Sequence, residues 1–389
     1  MVRARVDSVL ADLRIQRAFR FISEHKSEIA ADQIRLTEIP APPFQEAERA
    51  RAFSKELGIL ELHPTTDSVG NVFAAYEAAA RNPVIIDAHL DTVFPASTAL
   101  DLRRKGQILF LPGISDNGSG IVAVLWALRA AKEAGLRFGR PVIVVGSVGE
   151  EGEGNLRGVR YLFNAPPWGG RECEFIALDG GGLHRITHQG LGSRRFQIVM
   201  RGPGGHSWAD FGRPNPIQAL ATAIHTFSMA GPAKRSGSSF NFGIVRGGIS
   251  VNAIPAQASM EVDLRSIVAG NLDALEHQLS RTVSAAARAS GVEFQIERTG
   301  ERPLGVTPST SALVEAAVET TRRFGVEPQL EVGSTDANIP MSMGIPAIAL
   351  GGGGASGSVH TLDEWFDPSG RDLGIQRLVA LIAVRAGLE

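Results

Sequence analysis

A chain of 389 residues with 39 basic and 41 acidic side chains, formal charge −2, has no cationic bias that would draw it to nucleic acid. Its 43% hydrophobic and 21% charged residues exclude a disordered chain, and its length predicts two domains, or one large α/β domain with an insertion. Cys173 is the only cysteine, which excludes an intrachain disulfide and a cysteine metal cluster. No run reaches the roughly 18 apolar residues of a membrane span, and the charged amino terminus lacks a signal core, so a cytoplasmic setting without membrane partners is expected.

The first forty residues read as two helical stretches ending at EIPAPPF (38–44), where prolines stop helix. After a helix near 44–57 come the strands NVFAAYEA and PVIIDAHLDT, and the loop GISDNGSG leads into the apolar helix IVAVLWALRAAKEAG. RPVIVVGSVGEEGEG is another apolar strand ending in acids, followed by a short helix (156–164) and the strand EFIALDGGG. Apolar strands alternating with helices predict a doubly wound, mostly parallel α/β sheet covered on both faces. In such sheets ligands gather at the strands' carboxyl ends. His89, Asp91, Asp116, Glu150, Glu151 and Asp179 all fall at strand ends or in the loops that follow them.

From about residue 188 the pattern changes. GSRRFQIVMRG alternates like a half-exposed strand, PNPIQALATAIHTFSMAG like an amphipathic helix, and two strands, a helix and a final strand follow. This β-α-β-β-α-β order predicts an inserted α+β, ferredoxin-like domain over 188–300, between catalytic segments 1–187 and 301–389. The last segment carries a helix near 310–324, the strand IPAIALGGGG and a terminal helix.

Zinc takes imidazole and carboxylate ligands, and one carboxylate can bridge two ions. The available set is His89, Asp116, Glu151, Asp179 and the distant His360 of GSVHTLDEW, and spacing alone does not divide it between two ions. Adjacent Glu150 and Glu151 diverge on extended backbone, so that one can ligate metal while the other serves as general base. Asp91, two residues after His89, can accept the imidazole's second N–H. Taken singly, each has a plainer reading: Asp116 as a helix cap, Asp179 as a turn residue, Glu150 and Glu151 as a solvated loop. Their recurrence at successive strand ends favours metal.

HLDTV (89–93), SDNGSG (115–120), VGEEGEG (148–154), LDGG (178–181) and SVHTLDEW (358–365) resemble, in order, the signatures of the co-catalytic zinc exopeptidase superfamily. Peptidase T, aminoacylase, acetylornithine deacetylase and succinyl-diaminopimelate desuccinylase are members. The resemblance implies two divalent ions, zinc in the first place, with manganese or cobalt as alternatives. It implies that His89, Asp116 and Asp179 hold one ion and Asp116, Glu151 and His360 the other. Glu150 would be the base and Asp91 would orient His89. It also implies a non-proline cis peptide after Asp116, where this chain has Asn117 and many members have Asp.

In the inserted domain, His206 of GPGGHSW matches a histidine that stabilises the oxyanion, often from a partner subunit. Asn252 and Arg265 match positions that bind a substrate carboxylate, and Thr335 and Asp336 of GSTDAN match a cleft loop. The expected function is hydrolysis of an amide in a small peptide or N-acyl amino acid by a homodimer joined through the inserted domain. By the resemblance, an Asp at position 179 points to an aminopeptidase, tripeptidase or dipeptidase. The alternative is a deacylase, a carboxypeptidase-like enzyme or another non-peptide amidohydrolase. A non-catalytic binding protein on the same fold would have lost ligands or base, and every such position is filled here.

Overall fold

Odd and even residues of the apolar strands face different cores, which is why these strands read as unbroken hydrophobic runs. In β1 (Val72–Ala75), β2 (Val84–His89) and β3 (Val142–Ser147), Val72, Val84, Ile86, Val142 and Val144 join one buried cluster. Ile85, Ile143 and Val145 join another on the opposite face, with β4 (Glu174–Leu178) contributing Phe175 and Ala177. The sheet continues through β5 (Arg185–Gly190). These features belong to a computed structural model that describes residues 2–76, 82–165, 172–232 and 237–389. The last two residues of the expected strand NVFAAYEA lie outside the described residues.

The chain divides into two units, Met1–Gly190 with Gly305–Glu389, and Leu191–Leu304. The first unit begins with α1 (Val2–Ala11), α2 (Leu13–Glu24) and α3 (Lys26–Thr37), where the sequence predicts two helical stretches. The additional break falls at Asp12, whose carboxylate accepts the Arg14 N–H at 2.7 Å as the α2 N-cap. Then come α4 (Ala47–Ile59), α5 (Gly118–Glu133) and α6 (Arg157–Asn164).

The second unit runs β6 (Gly192–Arg201), α7 (Pro216–Met229), β7 (Ser238–Gly247), β8 (Gln257–Ser266), α8 (Ala269–Ser290) and β9 (Glu293–Arg302). Its sheet has the antiparallel order β7-β8-β6-β9. Phe227 of α7 and Leu279 and Val283 of α8 share a buried cluster with Ile198, Met200, Val262 and Leu264 of the sheet. A small open sheet with helices on one face is the architecture that the alternating strands predict.

The first unit resumes with α9 (Ala312–Arg323), β10 (Gln329–Gly333), β11 (Ala347–Leu350) and α10 (Arg371–Ala386). In its sheet, nine-stranded among the described residues, these strands follow the order β1-β3-β2-β4-β11-β5, with β10 paired to β5 and the two-residue strands Thr65–Thr66 and Gly305–Val306 at the ends. β3, β2, β4 and β11 run parallel, whereas β1 and β5 join them antiparallel, so the sheet is mixed at its flanks. Helices α5 and α10 cover one face; Val159, Leu162 and Phe163 of α6 cover the other. Because β2, β3 and β4 are parallel neighbours, their carboxyl ends open on one side, and the loops after them meet there.

Candidate active site

The peptide bond between Asp116 and Asn117 is cis. Asn117, and not Asp116, caps α5: its Oδ1 accepts the Gly120 N–H at 3.2 Å while its Nδ2 donates to the Leu178 carbonyl at 2.8 Å. One amide thus ties the helix start to the end of β4. The contact is tight, since a Cβ on Gly120 would lie 2.2 Å from Asn117 Oδ1 and 2.5 Å from the Leu178 oxygen. With the capping task taken by Asn117, the Asp116 carboxylate is left to face two imidazoles.

Asp116 Oδ1 lies 3.0 Å from His89 Nε2, and Oδ2 lies 3.1 Å from His360 Nε2. His360 Nε2 is also 3.0 Å from Glu151 Oε1, and Asp179 Oδ1 is 3.9 Å from His89 Nε2. The five residues therefore form two groups that share Asp116: His89 with Asp179, and His360 with Glu151. Ligand atoms of His89, Asp116 and Glu151 all lie within 4.8 Å of one another.

Asp91 is fully buried and does more than face His89. Its Oδ1 accepts the Glu150 N–H at 3.0 Å and its Oδ2 the Glu151 N–H at 2.8 Å, so it fixes the backbone of both glutamates. His89 Nδ1 meets the Asp91 carbonyl at 3.2 Å, while the Asp91 carboxylate stays 3.7 Å away. The Asp91 carboxylate thus faces the imidazole as the sequence suggests, and its main-chain carbonyl lies closer still, so both act on the same ring nitrogen. Glu150 is buried beside Glu151, close enough for its charge to raise the pKa values of Glu151, Asp179 and Asp336.

The electrostatics suit a divalent cation. Burial and then the Glu150 charge push Glu151 up to about 8. Burial and then Asp116 push Asp179 up to about 7. Burial would raise Asp116 too, yet hydrogen bonds from His360 and His89 hold it far below the carboxylate range. Hydrogen bonds to Asp116 and Glu151 raise His360 to about 10. Three carboxylates crowded against two imidazole nitrogens form the mixed N/O donor set that zinc and its neighbours in the first transition row accept, and a cation would relieve the repulsion that raises the two acids.

A pH signature follows. Unfolded Glu and Asp ionise near pH 4, so between about pH 4.5 and 7–8 folded Asp179 and Glu151 still hold protons that the unfolded chain has lost. His360 acts in the same direction above about pH 6.5, because its folded form keeps its proton longer. Chelator-treated protein is expected to lose thermal stability as pH rises from 5 to 8, and added zinc to raise the melting midpoint more at pH 8 than at pH 5. Equal zinc effects at both pH values in calorimetric scans would refute the assigned ligands.

Glu364 escapes a sequence reading. Fully buried, it accepts the N–H groups of Gly113 (3.0 Å), Ser115 (2.8 Å) and Asp116 (3.0 Å), and so shapes the loop that aims Asp116. The signal was its position four residues after His360, but only the fold brings it to residue 116.

The substrate-binding candidates are divided between the units. Thr335 lines a cavity of about 270 Å³ that also reaches Asp116 and Asp179. Asp336 instead turns inward, where its Oδ2 accepts the Ser147 hydroxyl at 2.8 Å beside buried Asp87. In the second unit, His206 Nδ1 accepts the N–H groups of Trp208 (3.2 Å) and Ala209 (3.3 Å), which puts the ring proton on Nε2. Asn252 lies nearby, because Gly205–His206 pairs antiparallel with Ala253–Ile254 and the Ser207 N–H donates to the Asn252 carbonyl. Arg265 Nε donates to Asp263 Oδ2 at 2.6 Å, an ion pair within one strand.

The profile of Peptidase family M20/M25/M40 matches residues 85–384, a span that contains every one of these residues. The chain belongs to Peptidase family M20/M25/M40. As a member of this family it is a metal-dependent hydrolase. It is 23% identical over 286 residues to carboxypeptidase G2 of a Pseudomonas species, covering 72% of this chain and 68% of that protein. The fold is similar to that of aminopeptidase PepT from Bacillus cereus (TM-score 0.74, 20% identity, 92% of this chain and 98% of that one). It is also similar to a Bacillus subtilis protein described as a dinuclear metal binding peptidase of the M20 family (TM-score 0.69, 17% identity, 94% and 99%). Among the described residues no helix is long and apolar enough to cross a membrane.

Proposed function

We propose that this protein is a two-metal exopeptidase that cleaves the amide bond of a small peptide. The observation that carries the reading is Asp116 set between His89 and His360, with Asp179 and Glu151 completing the two groups. His89, Asp116 and Asp179 would hold one ion, and Asp116, Glu151 and His360 the other, zinc being the first choice. When bound, the ions supply Lewis acidity, polarising a carbonyl and lowering the pKa of water. Glu150 takes the proton of the attacking water and hands it to the departing amine. Asp91 keeps Glu150 and Glu151 apart in orientation by holding their N–H groups. His206 donates its Nε2–H to the oxyanion of the tetrahedral intermediate, and Asn252 and Arg265 receive a substrate carboxylate.

The aspartate at 179 and the fold similarity to PepT support peptides as substrates. The sequence similarity to carboxypeptidase G2 favours a second reading, removal of an acyl group from an amino acid. Turnover of dipeptides and tripeptides beside N-acetyl amino acids, each with zinc, manganese and cobalt, separates them. Peptide hydrolysis without N-acetyl hydrolysis is the expected result, and the converse would replace the first reading with the second.

The inserted unit supports a homodimer. Ile244 and Val245 on the edge strand β7 are exposed, as are Ile249 and Val251 in the turn that follows it. An exposed apolar edge is a site for pairing with a second copy. Light scattering is expected to give twice the 41.3 kDa chain mass, and Val245→Asp to shift it toward the single chain. A wild-type chain that remains monomeric at micromolar concentration would remove this part of the proposal.

A further inference from the structure

The cavity beside Asp179 contains a cation that none of these roles uses. Arg185 opens β5, and its neighbour across the parallel pair is β10, where Gln329 is its register partner and Glu331 is the partner of Thr187. Arg185, Thr187 and Glu331 all line the cavity that reaches Asp116, Asp179 and Thr335. A Cβ on Gly180 would meet Arg185 Nη2 at 3.4 Å, so the guanidinium lies against the residue that follows Asp179. Among the described residues the Arg185 side chain makes no hydrogen bond and no ion pair, not even with Glu331, diagonal to it across the strand pair; the acid its charge reaches is Asp179, whose pKa it lowers.

An exposed arginine without a role ordinarily reaches for solvent or a nearby carboxylate. This one is directed along the cavity wall, with its five donors uncommitted. Asp116 and Asp179 are the acids it could otherwise balance, and the ions of the proposed site neutralise them. With those ions bound, Asp116 and Asp179 no longer compete for the guanidinium, and Glu331, the remaining acid on the wall, is not bonded to it, which leaves Arg185 open to an anion.

We propose that Arg185 is a specificity-determining residue that receives a second substrate carboxylate, separate from the one given to Asn252 and Arg265. Preferred substrates are therefore small amides with an acidic side chain. The inference rests on the two-metal hydrolase reading, but it is tested by binding and not by turnover.

Calorimetric titration of zinc-loaded protein with aspartate against asparagine, and glutamate against glutamine, isolates one carboxylate in each pair. The wild type is expected to bind at least one acid about tenfold more tightly than its amide. Arg185→Gln should erase that ratio, and Arg185→Lys should keep part of it, since it retains charge but loses the bidentate fork. A wild-type ratio near one, no measurable binding of either acid, or a ratio unchanged in Arg185→Gln would each overturn the inference. Loss of peptide turnover, by contrast, bears on the hydrolase reading alone.

Discussion

Glu150→Ala is expected to lower kcat by on the order of 10²–10⁴-fold, the range that general acid–base catalysis supplies, while two metal ions per chain are retained. Asp91 accepts the N–H groups of both Glu150 and Glu151, so removing the Glu150 side chain leaves this pair of main-chain hydrogen bonds in place. Glu151 keeps its contact with His360 at 3.0 Å. Only the proton carrier is lost. Metal analysis and a pH–rate profile check the result: the acidic limb of kcat/KM should disappear in the variant. Undiminished turnover would refute the assigned base, and loss of metal would move Glu150 into the ligand set.

Asp116→Ala is expected to lose both ions, whereas His360→Ala should lose one. The contrast comes from the shared carboxylate, whose two oxygens face different imidazoles at 3.0 and 3.1 Å. Removing it leaves each group short of an acid and places His89 and His360 without their principal partner. The loss of affinity should exceed the roughly 10–100-fold caused by removing an outer hydrogen-bond partner of a ligand. Elemental analysis after dialysis gives the count. Equal stoichiometry in the two variants would show that Asp116 does not bridge.

Much of this arrangement was legible because parallel strands impose it. His89 ends β2, Glu150 and Glu151 follow β3, and Asp179 follows β4, so reading apolar runs and the polar residues after them places these side chains on one side of the sheet. The mixed flanks were not legible, because β5 pairs antiparallel with β11 across the whole inserted unit and nothing local in RITHQG encodes direction. The detail of Asp91 was hidden for a different reason. Spacing of two from His89 suggests its contact with the imidazole, but only the turn after β2 brings the same carboxylate to the amides of the next loop. Arg185 shows the same gap: a single basic residue at a strand start has no pattern, and its place against Gly180 depends on how β5 returns beside Asp179.

The segment around His360 supplies an imidazole to the site and, four residues on, the carboxylate of Glu364 that builds the loop of residue 116. Late-translated chain is therefore both contributor and scaffold. A chain lacking residues 360–364 would have neither this imidazole nor the carboxylate that braces the loop of residue 116.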